Sequence, residues 1–311
     1  MIPTALFHWY QQHARDLPWR HTKDPYHIWI SEIMLQQTQV RTVLPRYQAW
    51  FEVFPNIQTL AEAHLDDVFK QWEGLGYYRR ARFIHEAAQE IVKKFNGVFP
   101  RNFEDILQLK GIGRSTAGAI SSFCFKTATP VLDGNVKRVL SAWDDKTYSE
   151  AQLWEIAESW IVKAAAPDMW NQAMMELGAT HCQAKKRECA LCPVSAGCKS
   201  AFSEPVKNTS KIKVQNVYWQ VELHQNTNHE IWLKQRPNKG IWAGLWSPPI
   251  TELEEQPEHE PDLVHQLTHR KIHLYIKAND NKPLGQGRWV KSWEGFAIPT
   301  GIHRLFENSV L

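Results

Sequence analysis

The 311-residue chain contains no run of eighteen apolar residues, about the shortest length that spans a bilayer as a helix. Its first residues, Met1-Ile-Pro-Thr-Ala-Leu-Phe-His-Trp-Tyr, lack the basic start and apolar stretch of a secretory signal. The expectation is a soluble protein of a reducing cytoplasm, without a membrane partner. There is no internal repeat and no low-complexity tract, which argues against solenoid and disordered architectures. Excess charge is also missing. A formal net charge of +3 disfavours a nucleic-acid protein built on bulk positive charge, so any grip on an anion must be local. Cysteine is sparse, with five in all.

Four of those five fall within seventeen residues, as Cys182-x6-Cys189-x2-Cys192-x5-Cys198. In a reducing compartment this is a metal or cluster site and not a disulfide framework. Four thiolates suit zinc or an iron–sulfur cube, since both accept tetrahedral sulfur ligation. Zinc sites usually pair their ligands as two tight knuckles, and only Cys189 and Cys192 are so paired. The spacing therefore favours a cluster. Cys124, in Ile120-Ser-Ser-Phe-Cys-Phe, reads as a small core residue. Local positive charge occurs at Arg79, Arg80 and Arg82, and at Lys185-Lys186-Arg187 inside the cysteine loop. The triplet could be an ordinary solvated patch, or a phosphate grip in a metal-tied loop.

The length predicts two domains. Up to about residue 200 the pattern is helical, with segments such as Tyr78 to Phe95 and Gln152 to Ala166 spaced by three and four. Periodicity disappears around Glu204-Pro-Val-Lys-Asn-Thr-Ser. Beyond it Val217, Trp219, Val221 and Leu223 alternate with polar residues, as do Ile272, Leu274 and Ile276, which predicts half-buried strands. The expected division is a helical domain over 1–201, a linker over 202–216 and a smaller α+β domain over 217–311.

Three motifs bear on chemistry. Leu109-Lys-Gly-Ile-Gly-Arg-Ser-Thr-Ala places Gly111 and Gly113 in a tight turn between helices, where free N–H groups at a helix start can bind a phosphate. A plain helix–helix turn is the alternative. Glu32 lies in the apolar helix His27-Ile-Trp-Ile-Ser-Glu-Ile-Met-Leu-Gln-Gln, where desolvation would raise its pKa and suit it to general-acid work. Alternatively Ser31, Glu32, Gln36 and Gln39 form an exposed polar stripe. Asp133, in Val131-Leu-Asp-Gly-Asn-Val, precedes a helix as an N-cap, and the same N–H donors would hold its carboxylate ionised. One protonated acid and one carboxylate are what cleavage of an N-glycosidic bond needs.

The cysteine spacing resembles the [4Fe–4S] loop of the endonuclease III superfamily, and with the glycine turn it resembles that superfamily's helix-hairpin-helix architecture. Ser31-Glu-Ile-Met-Leu-Gln-Gln-Thr-Gln-Val, Gly74-Leu-Gly-Tyr-Tyr, Gly111-Ile-Gly-Arg-Ser-Thr-Ala-Gly-Ala-Ile and Val131-Leu-Asp-Gly-Asn-Val resemble the adenine DNA glycosylase (MutY) family across about residues 4 to 200. The resemblance implies that Glu32 protonates N7 of a flipped adenine, that Asp133 stabilises the sugar cation or bonds to it transiently, and that Asn135 orients acid and water. It places Ser115 near the reacting sugar, where lyase relatives carry a Schiff-base lysine, so strong lyase activity is not expected. Some relatives have a tyrosine there. Lys110 replaces the proline usual in the hairpin. Gln36, Gln37 and Tyr77 resemble residues that penetrate the duplex, and Leu17, Trp19, Arg20 and Gln172 resemble the adenine pocket. Trp19 by itself reads as core, and Lys137 as a solvated helix lysine. The implied cofactor is one [4Fe–4S] cluster held by the four cysteines, bracing Lys185, Lys186 and Arg187 against DNA.

The tail resembles the Nudix-like recognition domain of that family through Lys234-Gln-Arg-Pro-Asn-Lys-Gly-Ile-Trp-Ala-Gly-Leu-Trp-Ser-Pro-Pro and Phe296-Ala-Ile-Pro-Thr-Gly-Ile-His-Arg-Leu-Phe. The magnesium-binding Nudix box is absent, and Glu252, Glu254 and Glu255 read as a solvated loop, so binding and not hydrolysis is expected. Leu267-Thr268-His269 stands where the family has Phe-Ser-His on a hairpin that checks for 8-oxoguanine. Thr268 and His269 keep a hydroxyl and a ring, while Leu267 departs from the aromatic. The resulting expectation is a monomeric, monofunctional glycosylase, working at the bacterial nucleoid, that removes adenine opposite 8-oxoguanine or guanine in double-stranded DNA. Two rivals are an endonuclease III-like glycosylase/lyase and a non-catalytic iron–sulfur protein that binds DNA or senses redox state.

Overall fold

The computed structural model describes residues 4–205 and 214–308. Residues 206–213, most of the expected linker, lie outside the described residues, as do 1–3 and 309–311. The chain groups into two units, residues 1–61 with 86–208, and residues 62–85 with 209–311. The segment 62–85, read from sequence as part of the helical domain, thus clusters with the C-terminal unit. None of the described helices is long and apolar enough to cross a membrane.

The helices of the chain are α1 Thr4–His13, α2 Pro25–Leu35, α3 Val40–Val53, α4 Ile57–Glu62, α5 Leu65–Gln71, α6 Arg79–Phe95, α7 Phe103–Gln108, α8 Arg114–Phe125, α9 Gly134–Asp144, α10 Glu150–Ile161, α11 Pro167–Thr180 and α12 Thr300–Asn308. Their starts are set locally. Asp24 caps α2 by accepting from the Tyr26 N–H at 2.8 Å, with Pro25 in the first turn, and Ser149 and Gln152 form a reciprocal capping box on α10. α10 ends at Ile161, five residues short of the expected Ala166, and Lys163 and Ala164 close it with turn bonds before Pro167 opens α11.

In the first unit α2 packs on α8, and α9 and α11 pack on each other. Leu6, Trp9, Leu140, Ile161, Met174 and Leu177 form one core between α1, α9, α10 and α11. Trp29 and Trp50 are fully buried, and truncating either to Ala would cost about 3–5 kcal/mol.

The second unit carries strands β1 Gln215–Leu223, β2 Ile231–Gln235, β3 Trp246–Ser247, β4 Ile250–Leu253, β5 Leu263–Gln266, β6 Arg270–Ala278 and β7 Arg288–Val290. One sheet runs β4-β1-β6-β5 and the other β3-β2-β7. β1 and β6 are parallel, with Val217 opposite Ile272, Trp219 opposite Leu274 and Val221 opposite Ile276. The alternating apolar residues therefore meet on one face, as the period of two requires. Two readings are corrected here. Residues 215 and 216 belong to β1, and Glu252 is paired in β4 against Trp219 instead of lying in a loop.

Candidate active site

A cavity of about 420 Å³ in the first unit is lined by Glu32 of α2 and Asp133 at the start of α9, together with Leu17, Trp19, Arg20 and Gln172. The six residues come from four segments of the chain, around positions 17–20, 32, 133 and 172, and the fold gathers them. Trp19 is both buried and part of the cavity wall.

Burial pushes the Glu32 carboxyl up to about 8, and the negative charge of Asp133 adds to the push. At neutral pH Glu32 is mostly protonated and can give up a proton. Asp133 does cap α9. Its Oδ1 accepts from the backbone N–H groups of Asn135 at 2.9 Å and Val136 at 2.8 Å, while its Oδ2 accepts from Nδ2 of Asn135 at 2.8 Å. The three N–H donors make charge-assisted bonds to the carboxylate and fix its orientation.

What fixes Asp133 is the extended segment before it. A Cβ on Gly118 would lie 2.2 Å from the carbonyl oxygen of Pro130, so only glycine lets this segment close on α8. Buried Asn171 accepts from the Val131 N–H at 3.1 Å and donates to Ser122 Oγ and the Thr129 carbonyl, each at 2.9 Å. Ser115 Oγ accepts from the Leu132 N–H at 3.1 Å, one residue before Asp133. Ser115 is not among the cavity-lining residues, and its hydroxyl supports the segment that carries Asp133.

Asn135 is held in turn by Arg138. The Arg138 guanidinium donates to Asn135 Oδ1 at 2.7 Å, to the carbonyls of Gly134 and Gly178 at 2.8 Å, and through Nε to the carbonyl of Cys182 at 3.1 Å. Continuous hydrogen bonds thus run from Asp133 through Asn135 and Arg138 to the first cysteine of the loop. Arg138→Ala is expected to lower the melting temperature, because it removes the donor shared by Asn135 and the carbonyls of Gly178 and Cys182. An unchanged melting temperature would show that Asn135 and Cys182 are held in place without it.

Sequence reasoning missed Glu176. It is buried in the cavity wall, and its carboxylate accepts from Arg15 Nε at 2.7 Å, Arg15 Nη2 at 2.8 Å and Arg20 Nη2 at 2.7 Å. Burial alone would raise its pKa, but the bonds from the two guanidinium groups outweigh burial and hold it down at about 2. One cavity therefore carries a protonated carboxyl at Glu32 and a permanent carboxylate at Glu176. The available signal was a lone acid in the apolar run Met174-Met-Glu-Leu-Gly, with Arg15 and Arg20 bracketing Leu17-Pro-Trp.

None of the four loop cysteines is in a disulfide, and Cys182 and Cys192 pack against the first unit's core. Burial pushes the Cys192 thiol up to about 11, partly relieved by a backbone hydrogen bond at Val194, with the other three loop cysteines adding to the push. Four soft thiolates fit a cube of iron and sulfur. Among the described residues, no three His, Cys, Asp or Glu side chains converge tightly enough for one ion.

The sequence matches the model of the HhH-GPD superfamily base excision DNA repair protein over residues 30–159, and a NUDIX domain over residues 221–308. An adenine DNA glycosylase of Buchnera aphidicola subsp. Acyrthosiphon pisum is 40% identical, with 97% of this chain and 96% of that protein covered. The adenine DNA glycosylase of Buchnera aphidicola subsp. Baizongia pistaciae is 42% identical over 78% of this chain and 71% of its own length. This chain belongs to the adenine DNA glycosylase family. A thermostable thymine-DNA glycosylase of known structure is similar in fold, with a TM-score of 0.59 and 28% identity over 64% of this chain and 94% of that one. The helical glycosylase fold and the Nudix-like second unit expected from sequence are both present, and the chain is a DNA glycosylase, a hydrolase of the base-excision-repair class.

Family membership gives meaning to several further positions. Gln37 and Tyr77 have φ values of 56° and 47°, a left-handed backbone that is uncommon outside glycine. Both are exposed, whereas Gln36 is half-buried with Nε2 3.4 Å from Thr116 Oγ1. Gly111 has φ 77°, and Gly113 is an N-cap without a side chain, so no side chain occupies the amides that open α8. A Cβ on Gly113 would meet nothing within 4 Å, which leaves room for a phosphate.

The basic residues are less free than the sequence suggested. Lys186 pairs with Glu188, and Arg187 Nη1 lies 3.4 Å from the carbonyls of Ser200 and Ser203. Lys137 pairs with Glu150 at 2.9 Å, as a solvated helix lysine would. Arg80 is drawn into the second unit, over Trp72 and Tyr77, and donates to the carbonyls of Leu75 and Gly76. Burial lowers its pKa to about 10, and it supports the turn that displays Tyr77. Cys124 is half-buried.

In the second unit β5 and β6 form the expected hairpin, with Leu267, Thr268 and His269 at its tip. Leu267 packs against that unit's core, while Thr268 and His269 are exposed. The hydroxyls of Tyr77 and Thr268 are 2.6 Å apart.

Proposed function

We propose that this protein is a monofunctional adenine DNA glycosylase that hydrolyses the bond between deoxyribose and an adenine opposite 8-oxoguanine or guanine in double-stranded DNA. The observation that carries this is the pairing, in one cavity, of a Glu32 carboxyl raised to about 8 with an Asp133 carboxylate fixed by three N–H donors. Protonation of adenine N7 by Glu32 makes the base a neutral leaving group as the bond from C1′ to N9 breaks. Asp133 stabilises the positive charge left on the sugar, and Asn135 orients the water that adds to C1′. The water's proton returns to Glu32. The products are free adenine and an abasic site.

Cys182, Cys189, Cys192 and Cys198 would hold a [4Fe–4S] cluster. Its contribution on this reading is mechanical, to brace Lys185, Lys186 and Arg187 where they can meet DNA phosphate. The glycine amides at α8 and the exposed Gln37 and Tyr77 supply the remaining hold on the duplex. The second unit serves to recognise the base opposite the adenine and not to hydrolyse nucleotides, since it lacks the Nudix box.

The test is single-turnover cleavage of a duplex carrying one adenine opposite 8-oxoguanine, with and without alkali. Alkali-dependent strand breaks are expected. Breaks without alkali would assign the chain to the lyase branch, and no breaks in either condition would make it a binding protein.

The Thr268 hydroxyl is exposed and bonded to that of Tyr77, and it keeps further hydrogen-bonding capacity for the damaged base. Thr268→Ala is expected to cut the preference for 8-oxoguanine over guanine about tenfold, with the chemical step at saturation unchanged. Unchanged discrimination would remove the hairpin from recognition.

A further inference from the structure

Tyr10, on α1, is buried behind the cavity wall and does not line it, yet it touches two residues that do. Its hydroxyl lies 2.9 Å from Oε1 of Gln172, and its ring lies under the Arg20 guanidinium, 5.3 Å from the centroid. The network settles which way the Gln172 amide faces. The backbone carbonyl of Asp168 can only accept, and it lies 3.3 Å from Nε2 of Gln172, so that atom must be the donor. The atom facing Tyr10 is then the amide oxygen, and the tyrosine hydroxyl donates to it. Burial raises the Tyr10 pKa, so the hydroxyl keeps its proton across the working range.

We infer that Tyr10 is a positioning residue that locks the Gln172 amide in the one orientation that reads adenine. This rests on the adenine-excising function proposed above and concerns how its pocket selects the base. With Oε1 turned to Tyr10 and one Nε2 hydrogen turned to Asp168, Gln172 keeps one N–H and one carbonyl lone pair for the cavity. That donor and acceptor pair complements the exocyclic amine of adenine and its neighbouring N1, on the Watson–Crick edge and away from the N7 that Glu32 protonates. Hypoxanthine reverses the pattern, with a carbonyl and a protonated ring nitrogen at the same edge. A Gln172 free to flip would accept both. Tyr10 also supports Arg20, whose Nη2 holds Glu176 at 2.7 Å, so the same residue backs both polar arms of the wall.

Tyr10→Phe removes the hydroxyl alone and keeps the ring under Arg20. The experiment compares single-turnover release of adenine and of hypoxanthine, each opposite 8-oxoguanine, for the wild type, Tyr10→Phe, Gln172→Leu and the double variant, with melting temperatures to confirm folding. The wild type should favour adenine. Tyr10→Phe should narrow the adenine-to-hypoxanthine ratio about tenfold, the size of one lost hydrogen bond. In the Gln172→Leu background the same change should alter the ratio no further. A general loosening of the fold would instead slow both bases alike and leave the ratio intact. Adenine release by the wild type together with an unchanged ratio in Tyr10→Phe, or an equal effect of Tyr10→Phe with Gln172 already gone, would overturn the inference alone. No adenine release by the wild type would overturn the function on which it rests.

Discussion

Asp133→Asn is expected to slow single-turnover release of adenine by about a thousandfold while leaving the protein folded. Asn is as good an N-cap as Asp, so α9 keeps its first-turn hydrogen bond, and the melting temperature should change little. The charge is what disappears. Because Asp133 also helps to raise Glu32, its neutralisation should move the alkaline limb of the rate profile to lower pH. Both shifts would come from one substitution, and measuring the pH–rate profile of Asp133→Asn reads them together. A variant with wild-type rate would show that the carboxylate serves α9 and nothing else.

The second large effect concerns Glu32. Glu32→Gln is expected to lower excision by about 10³-fold or more, within the range of general-acid contributions. In the wild type the rate should fall as pH rises through about 8, because the acid form is lost there. The stability consequence has the opposite sign to that of a salt-bridged carboxylate. A group whose folded pKa lies above its value of 4.5 in water contributes its full stability below pH 4.5. That contribution is lost as pH rises toward about 8. Wild type should therefore be less stable at pH 9 than Glu32→Gln, by about 5 kcal/mol, and the two should converge below pH 4.5. Thermal melts of both proteins across that range check it. Equal melting temperatures at pH 9 would show that Glu32 is not held in a desolvated setting.

Several features could be read in advance because their signals are local. The cysteine spacing, the glycine turn, the cap position of Asp133 and the alternation in β1 and β6 each sit within seventeen residues or fewer. Glu32 was ambiguous between an acid and a polar stripe, since helix periodicity says which face a residue is on but not whether a cavity lies under it. Ser115 drew attention as a replacement for a nucleophile, and its position shows a hydrogen-bonding task one residue from Asp133. Glu176, Arg138 and Tyr10 stayed hidden because their partners lie 161, 44 and 162 residues away, and a single polar residue on a helix carries no mark of such pairing. The grouping of 62–85 with the C-terminal unit was hidden for the same reason. Asp66 accepts from Trp246 Nε1 at 3.1 Å, and Glu73 accepts from His303 at 3.0 Å, across most of the sequence.

The most direct test is chromatographic measurement of free adenine released from a duplex with one adenine opposite 8-oxoguanine, under single-turnover conditions from pH 6 to pH 10. The wild type should release one adenine per duplex at a rate that declines above about pH 8, and Glu32→Gln should release none on the same timescale. Equal release by the two proteins, with no alkaline decline, would contradict a mechanism in which protonated Glu32 and anionic Asp133 divide the reaction.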